Sequence, residues 1–347
     1  MKTRIGSTIL IAIVALSLVP APRLAAEVPA PAKTDAPTQE SAAPKQSTAP
    51  KPPPVPPKSF TLPEEAVRSL VAALRAGDTR ALIGVLGSEG RTLVSSGDDV
   101  SDKQTRARFL EAFDAANQLV KTETEATLRV GPDEWPFPIP VVKTADRWRF
   151  DTRRGREEIV ARRIGRNELN TMQVCLAYVD AQREYFSEDR NGEGILEYAQ
   201  KFASTPGKHD GLYWRTKADE PPSPLGDFVV RAHAEGYRRA ANREPTPYWG
   251  YLFRVLTAQG PAAPDGAYDY VVRGHMIAGF GLVAFPATYG VSGVMTFIVN
   301  HDGVVYQKDL GPTTRATASA IRLFNPDATW TKVDVPTQAI AAAQPPQ

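Results

Sequence analysis

The sequence predicts an α+β fold in two consecutive parts, and three observations carry that expectation. Between Ser59 and Leu119 apolar residues recur at helical spacing, after which the period drops to two. From Gly155 to Phe186 the chain carries no proline and a broad apolar stripe. From Tyr251 onward, short runs rich in β-branched and aromatic residues follow one another, separated by turn residues. Helices grouped before strands, rather than alternating with them, is the α+β pattern.

Residues 1–26 read as a secretory signal peptide: Lys2 and Arg4, an apolar run from Ile9 to Val19, then small residues at Leu24-Ala25-Ala26. The run falls short of the about 20 residues that a spanning helix needs, and no cysteine adjoins the cut to take a lipid. The expected location is therefore periplasmic or secreted, with no transmembrane span after cleavage. Removing Lys2, Arg4 and Arg23 takes the formal charge from +2 to −1, so no global charge points to nucleic acid. Cys175 is the one cysteine, which excludes an internal disulfide and leaves stability to a packed core. Residues 27–58 hold ten prolines and no aromatic residue; they read as a disordered tether that could reach on the order of 100 Å in polyproline II. The tail 336–347 reads as disordered too.

The first folded part is expected over 59–154. Thr61-Leu62-Pro63-Glu64-Glu65 is a helix start, with Thr61 as cap and Pro63 in the first turn. Ala66, Leu70, Ala73 and Leu74 share one face, and Gly77 ends the helix. Asp78 can cap a second helix bearing Leu82, Ile83, Val85 and Leu86. A third is expected from about Asp102 to Leu119, with Phe109, Leu110 and Phe113 inward. The alternation Glu123–Val130, the proline-bounded WPFPIPVV and the run DRWRFD then predict a small antiparallel sheet.

The second part, 155–335, opens on the long helix, where Leu169, Met172, Leu176, Val179 and Phe186 mark the expected buried seam. Short helices are expected near Leu196–Phe202 and Leu225–Glu235. Strands are expected at Tyr251–Thr257, Tyr268–Arg273, Leu282–Pro286, Val294–Val299 and Val304–Gln307, the last two joined by Asn300-His301-Asp302-Gly303 as a tight hairpin. The first part resembles cystatin-like or nuclear-transport-factor-like layouts. The second, a long helix packed on an antiparallel sheet, is similar in layout to type IV pilins and secretion pseudopilins.

Beyond layout, a series of motifs recurs in order: WPFPIP, RRIGRNE, DAQREY, GKHDGLYW, SPLG, GYLFRVLTAQGPAAP, YDYVVRGHMIAGF, GVMTFIVNHDGVVYQKDLG and NPDATW. Over Ser59 to Val333 the chain resembles an uncharacterised secreted bacterial family catalogued as domain of unknown function 2950. The resemblance implies export and a shared fold, and brings no activity and no catalytic residues.

The candidate chemistry is sparse. In HDGLYWRTKADEPPSPLG, His209 and Asp210 are a conceivable base and orienting group, with His275 as a further catalytic candidate. Neighbours in sequence orient each other poorly, and no nucleophile context accompanies them. The same stretch reads as a structural clasp, in which Tyr213 and Trp214 bury apolar area and tie down loop backbone. The histidines lack zinc spacing. Asp189, Asn191, Glu193 and Gly194 match positions 1, 3, 5 and 6 of a calcium loop, but position 12 is Gln200, so no metal and no cofactor is expected. Arg147 to Arg166 holds eight arginines against three acids. Arg153, Arg154, Arg162 and Arg163 there are candidates for an anion-binding face, set against salt bridges such as Arg154–Glu158 within the helix. The expectation is an exported envelope module that binds another protein or a cell-wall polymer without catalysis; the alternative is a periplasmic hydrolase with a His/Asp site between the two parts.

Overall fold

Helix α1 (Pro63–Ala76) begins where Glu65 folds its carboxylate back onto the backbone N–H groups of Thr61, at 3.0 Å, and Leu62. The cap position is therefore Leu62, with Glu65 as its partner, one residue later than the expected cap Thr61. Gly77 closes the helix at φ 63°. The structure is a computed structural model that describes residues 54–334 apart from 218, 236 and 238–245. The signal peptide, most of the proline-rich stretch and the 336–347 tail lie outside the described residues.

Asp78 accepts the Ala81 N–H and starts α2 (Thr79–Leu86). A short α3 (Arg91–Val94) precedes α4 (Asp99–Ala115), whose cap is Asp98 bonded to Ser101 N at 3.0 Å. The third helix is thus shifted N-terminally from the expected Asp102–Leu119. Ala116 is extended, Asn117 Nδ2 caps the Phe113 carbonyl, and the chain turns directly into a strand. That strand, β1 (Asn117–Lys121), pairs antiparallel with β2 (Glu125–Val130). β3 (Trp135–Pro136), β4 (Val141–Thr144) and β5 (Arg147–Phe150) complete a sheet of order β1-β2-β4-β5, with β3 on β2. Leu70, Leu82, Leu128, Ile139 and Phe150 are among the buried side chains that join α1 and α2 to this sheet.

Helix α5 (Thr152–Phe186) runs on from this core into the next. Its first turn lies across Pro138–Ile139 at Gly155, with no room for a side chain. The buried seam is the expected one in part: Met172 and Val179 are buried in the core and Leu176 packs against it. Leu169 is 45% exposed, and the inward line runs through Asn167, Thr171, Cys175, Tyr178, Gln182 and Tyr185. An apolar stripe alone misplaces this line because its polar members are buried against specific backbone groups. Asn167 Nδ2 donates to Ser292 O at 2.9 Å, Tyr178 OH to Gly281 O at 3.2 Å, and Gln182 exchanges bonds with Ala199 N and O, both 2.8 Å. Glu168 accepts the N–H groups of Val294 and Met295. Each bond satisfies a buried polar group and fixes the rotation of the helix.

After α6 (Gly226–Ala234) come β6 (Tyr251–Leu256), β7 (Ala258–Gln259), β8 (Tyr268–Asp269), β9 (Val271–Val272), β10 (His275–Met276), β11 (Gly281–Pro286), β12 (Met295–Asn300) and β13 (Tyr306–Asp309). Helix α7 (Thr314–Ala320) and β14 (Thr331–Lys332) end the described chain. The main sheet, ordered β14-β13-β12-β11-β6, is antiparallel throughout. Leu282, Ala284, Phe297 and Val299 face the α5 core; Val283, Phe285 and Ile298 face a second core with Ala318 of α7 and Phe324. Cover on both faces explains why β11 and β12 are apolar in near-continuous runs. The expected strand Tyr268–Arg273 is broken into β8 and β9. The expected tight hairpin is wider: pairing stops at Ile298↔Tyr306, and Gly303, at φ 78°, donates to Asn300 O inside the loop. The stretch Leu196–Phe202 is irregular, not helical, because Tyr198 N bonds Met276 O and Ala199 is taken by Gln182.

Candidate ligand pocket

The stretch around His209 folds as a closed loop on top of α5. Residues 201–204 and 212–213 run side by side: Leu212 N donates to Lys201 O, Tyr213 N to Phe202 O and Ser204 N to Tyr213 O. Gly211 permits this approach, since a Cβ there would lie 2.8 Å from backbone atoms of Ala203 and Ser204. Asp210 bridges the loop, accepting from Thr205 N at 2.7 Å, Thr205 Oγ1 at 2.9 Å and Lys201 Nζ at 2.6 Å. Burial alone would raise this carboxyl, but those three donors outweigh it and bring it down to about 2. His209 stacks on Trp214 with ring centroids 4.3 Å apart, and its carbonyl accepts from Tyr185 OH at 2.6 Å. Arg190 also lies over the Trp214 indole, at 5.8 Å.

A group depressed in the fold stabilises above its ordinary pKa and loses that contribution as pH falls through the folded value. The Asp210 bridge is therefore intact above about pH 4 and lost on the way down to about 2. Amide-exchange protection of residues 199–214, corrected for intrinsic rates, is expected to fall across that window. In Asp210→Asn it starts lower and varies less with pH. Unchanged wild-type protection at pH 2 would contradict the bridge.

Beneath the loop lies a pocket of about 900 Å³. Val174, Ala177 and Tyr178 of α5, Phe253 of β6, Phe202, Tyr213 and Trp214 of the loop and Phe228 and Val229 of α6 line it, with Tyr237 and Tyr248 among the others. Lys208, His209 and Arg215 add charge or polarity. This is the size and composition of a ligand pocket, mostly apolar with a few polar groups.

The three catalytic candidates do not form a relay. His209 lines this pocket, whereas Asp210 and His275 line a separate cleft of about 390 Å³. There His275 Nδ1 stands 3.3 Å from Glu197 and 3.5 Å from Glu193. Ligand atoms of Glu193, Glu197 and His275 lie within 4.8 Å of one another, a set that could hold a cation. Glu193 is thus the one calcium candidate in that set. Asp189 instead accepts the N–H groups of Gly192, Glu193 and Gly194, which hold its carboxyl below the usual range, and Asn191 donates to Glu193 and Glu197. Sequence reasoning missed Glu197 because a helix was expected where the chain is irregular. The basic run does not present one face. Arg154 pairs with Glu125 at 2.6 Å rather than with Glu158; Arg162 pairs with Glu158 and lies over Trp135; Arg153 is exposed. Arg163 turns inward, 7% exposed, and donates to Thr92 O and Leu93 O. Cys175 is fully buried, its thiol pushed up to about 12 by burial, so it is no nucleophile at neutral pH.

Fold and site together define an α+β protein with an aromatic-walled pocket. The family model described as Protein of unknown function (DUF2950) matches residues 57–333, and the chain belongs to that family. No curated protein and no solved structure matches. Among the described residues no helix is long and apolar enough to cross a membrane.

Proposed function

We propose that the protein is an exported, non-catalytic binding module of the cell envelope whose aromatic pocket takes an apolar segment of another envelope protein. The observation that carries this reading is a large, mostly apolar cavity whose walls include the aromatic rings of Phe202, Tyr213, Trp214, Phe228 and Phe253. A glycan carries a hydroxyl on almost every carbon and needs a partner for each on burial. This wall offers few, and the Trp214 indole already carries His209 and Arg190. Apolar side chains suit it, at about 1.5–3 kcal/mol for each fully buried. The charged first residues and apolar run of 1–26 support export, and the proline-rich 27–58 supports a tether. The pilin-like order of elements is not needed for this reading, and fibre assembly is not part of it.

Selection of displayed peptides on the mature protein tests the proposal. Enriched sequences are expected to share two or more large apolar residues and to bind Val229→Trp, which fills the pocket, at least tenfold more weakly. Absence of enrichment, or binding indifferent to Val229→Trp, would overturn it. Cell-wall fragments displaced by the same variant would replace the peptide reading with a glycan one.

A further inference from the structure

A second cavity, of about 480 Å³, lies in the first part of the fold, away from the aromatic pocket. Its walls are apolar: Leu70 of α1, Leu82 of α2, Phe109 of α4, and Phe137, Ile139 and Ile159. Four arginines also line it, Arg106 and Arg108 from α4 and Arg163 and Arg166 from α5. Arg163 is satisfied by the carbonyls of Thr92 and Leu93. The other three are not bonded in this way: Arg108 is exposed, and Arg106 and Arg166 are half-buried. Arg166 Nε is buried with no hydrogen-bond partner, Arg108 reaches only Thr105 Oγ1 at 3.5 Å, and no carboxylate pairs with Arg106, Arg108 or Arg166 among the described residues. Two acids share the lining. Asp102 is 7% exposed and accepts Ser96 N at 2.8 Å, and Asp133 is exposed. They leave the cavity with more positive than negative charge.

Arginines held together beside apolar walls repel one another and lose hydration; burial, with Arg108 and Arg163 nearby, favours loss of the Arg166 proton. An anion reverses each of these costs. A guanidinium fork binds carboxylate or phosphate in two parallel bonds, while the interior rewards each buried methylene by about 0.8 kcal/mol. A cavity of this size falls within the range of about 300–1,000 Å³ that small-molecule sites occupy.

We infer that this cavity binds a single-chain anionic amphiphile, its apolar chain among Leu70, Leu82 and Phe137 and its carboxylate or phosphate head on Arg108 and Arg166. The inference concerns a site separate from the aromatic pocket and does not rest on the function proposed for it.

Titration calorimetry of the mature chain with dodecanoate, dodecyl phosphate, dodecanol, dodecyltrimethylammonium and inorganic phosphate, each below micelle formation, tests it. One or both dodecyl anions are expected to bind at least tenfold more tightly than the alcohol, with no binding of the cation. The tighter anion identifies a carboxylate or a phosphate source. Arg108→Gln with Arg166→Gln should reduce anion affinity to that of the alcohol. Ala112→Trp should block the chain itself, and Arg153→Gln should change nothing. Equal binding of acid and alcohol, inorganic phosphate binding as tightly as its dodecyl ester, full anion affinity in the double glutamine variant, or no binding of either anion would each overturn the inference.

Discussion

Asp98→Ala is expected to cost about 3–4 kcal/mol, roughly the loss of several charged hydrogen bonds with their buried donors left behind. Asp98 is 3% exposed and holds three donors: Ser101 N at 3.0 Å, Tyr237 OH at 2.9 Å and Gly250 N at 2.8 Å. The first caps α4; the other two belong to the chain that leads into β6. One carboxylate thereby joins segments 152 residues apart. Alanine removes the cap and strands the buried Gly250 N–H. Against a total stability of about 5–15 kcal/mol this is a large fraction, and the melting temperature should fall by about 6–12 °C. Because Tyr237 also lines the aromatic pocket, peptide binding should weaken in the same variant. Asp98→Asn, which keeps one acceptor oxygen, should fall between the two. A melting point within a degree or two of wild type for Asp98→Ala would remove Asp98 as a structural tie.

Gly155→Ala is the second large effect, and its sign is opposite to that usual in helices. An exposed helical glycine replaced by alanine gains about 1 kcal/mol. At Gly155 the added Cβ would meet the Pro138 carbonyl oxygen, its carbon at 2.5 Å and Ile139 N at 2.7 Å. All three are backbone atoms, so relief requires moving the helix off the β3–β4 connection it contacts. Overpacking of this kind costs about 1–3 kcal/mol. The built-in control is Gly165, on the same helix, where an added methyl group would meet nothing within 4 Å and alanine should be neutral or stabilising. Urea unfolding of the two variants should separate them by about 1–3 kcal/mol, the overpacking cost, since the helix gain is common to both. Stabilisation by both would show that α5 does not contact Pro138 as described.

Periodicity made much of this fold legible. α1, α2, α6 and the strands β6, β11 and β12 fall close to where spacing places them, since each buries a regular face. Two of the failures share one cause: the irregular run at Leu196–Phe202 and the polar inward line of α5 depend on partners distant in sequence, Met276, Gly281 and Ser292. No local pattern reports them. The site was legible to the same degree. Tyr213 and Trp214 announce an aromatic surface by composition, and both line the pocket. The separation of His209 from Asp210 and His275 came from loop geometry. Arg163 and Arg166 look like any surface arginine in sequence, and only packing shows one satisfied inside and the other unpaired.

The proposed function stands or falls with the aromatic pocket beneath the His209 loop being the working surface and holding a protein segment. A photo-crosslinking residue placed at Val229, on the pocket wall, and at exposed Val120, on β1, tests it in cells producing the full chain. A covalent protein adduct is expected from position 229 and none from 120, mapping to an apolar stretch of the partner. No adduct at 229, or equal adducts at both positions, would contradict it.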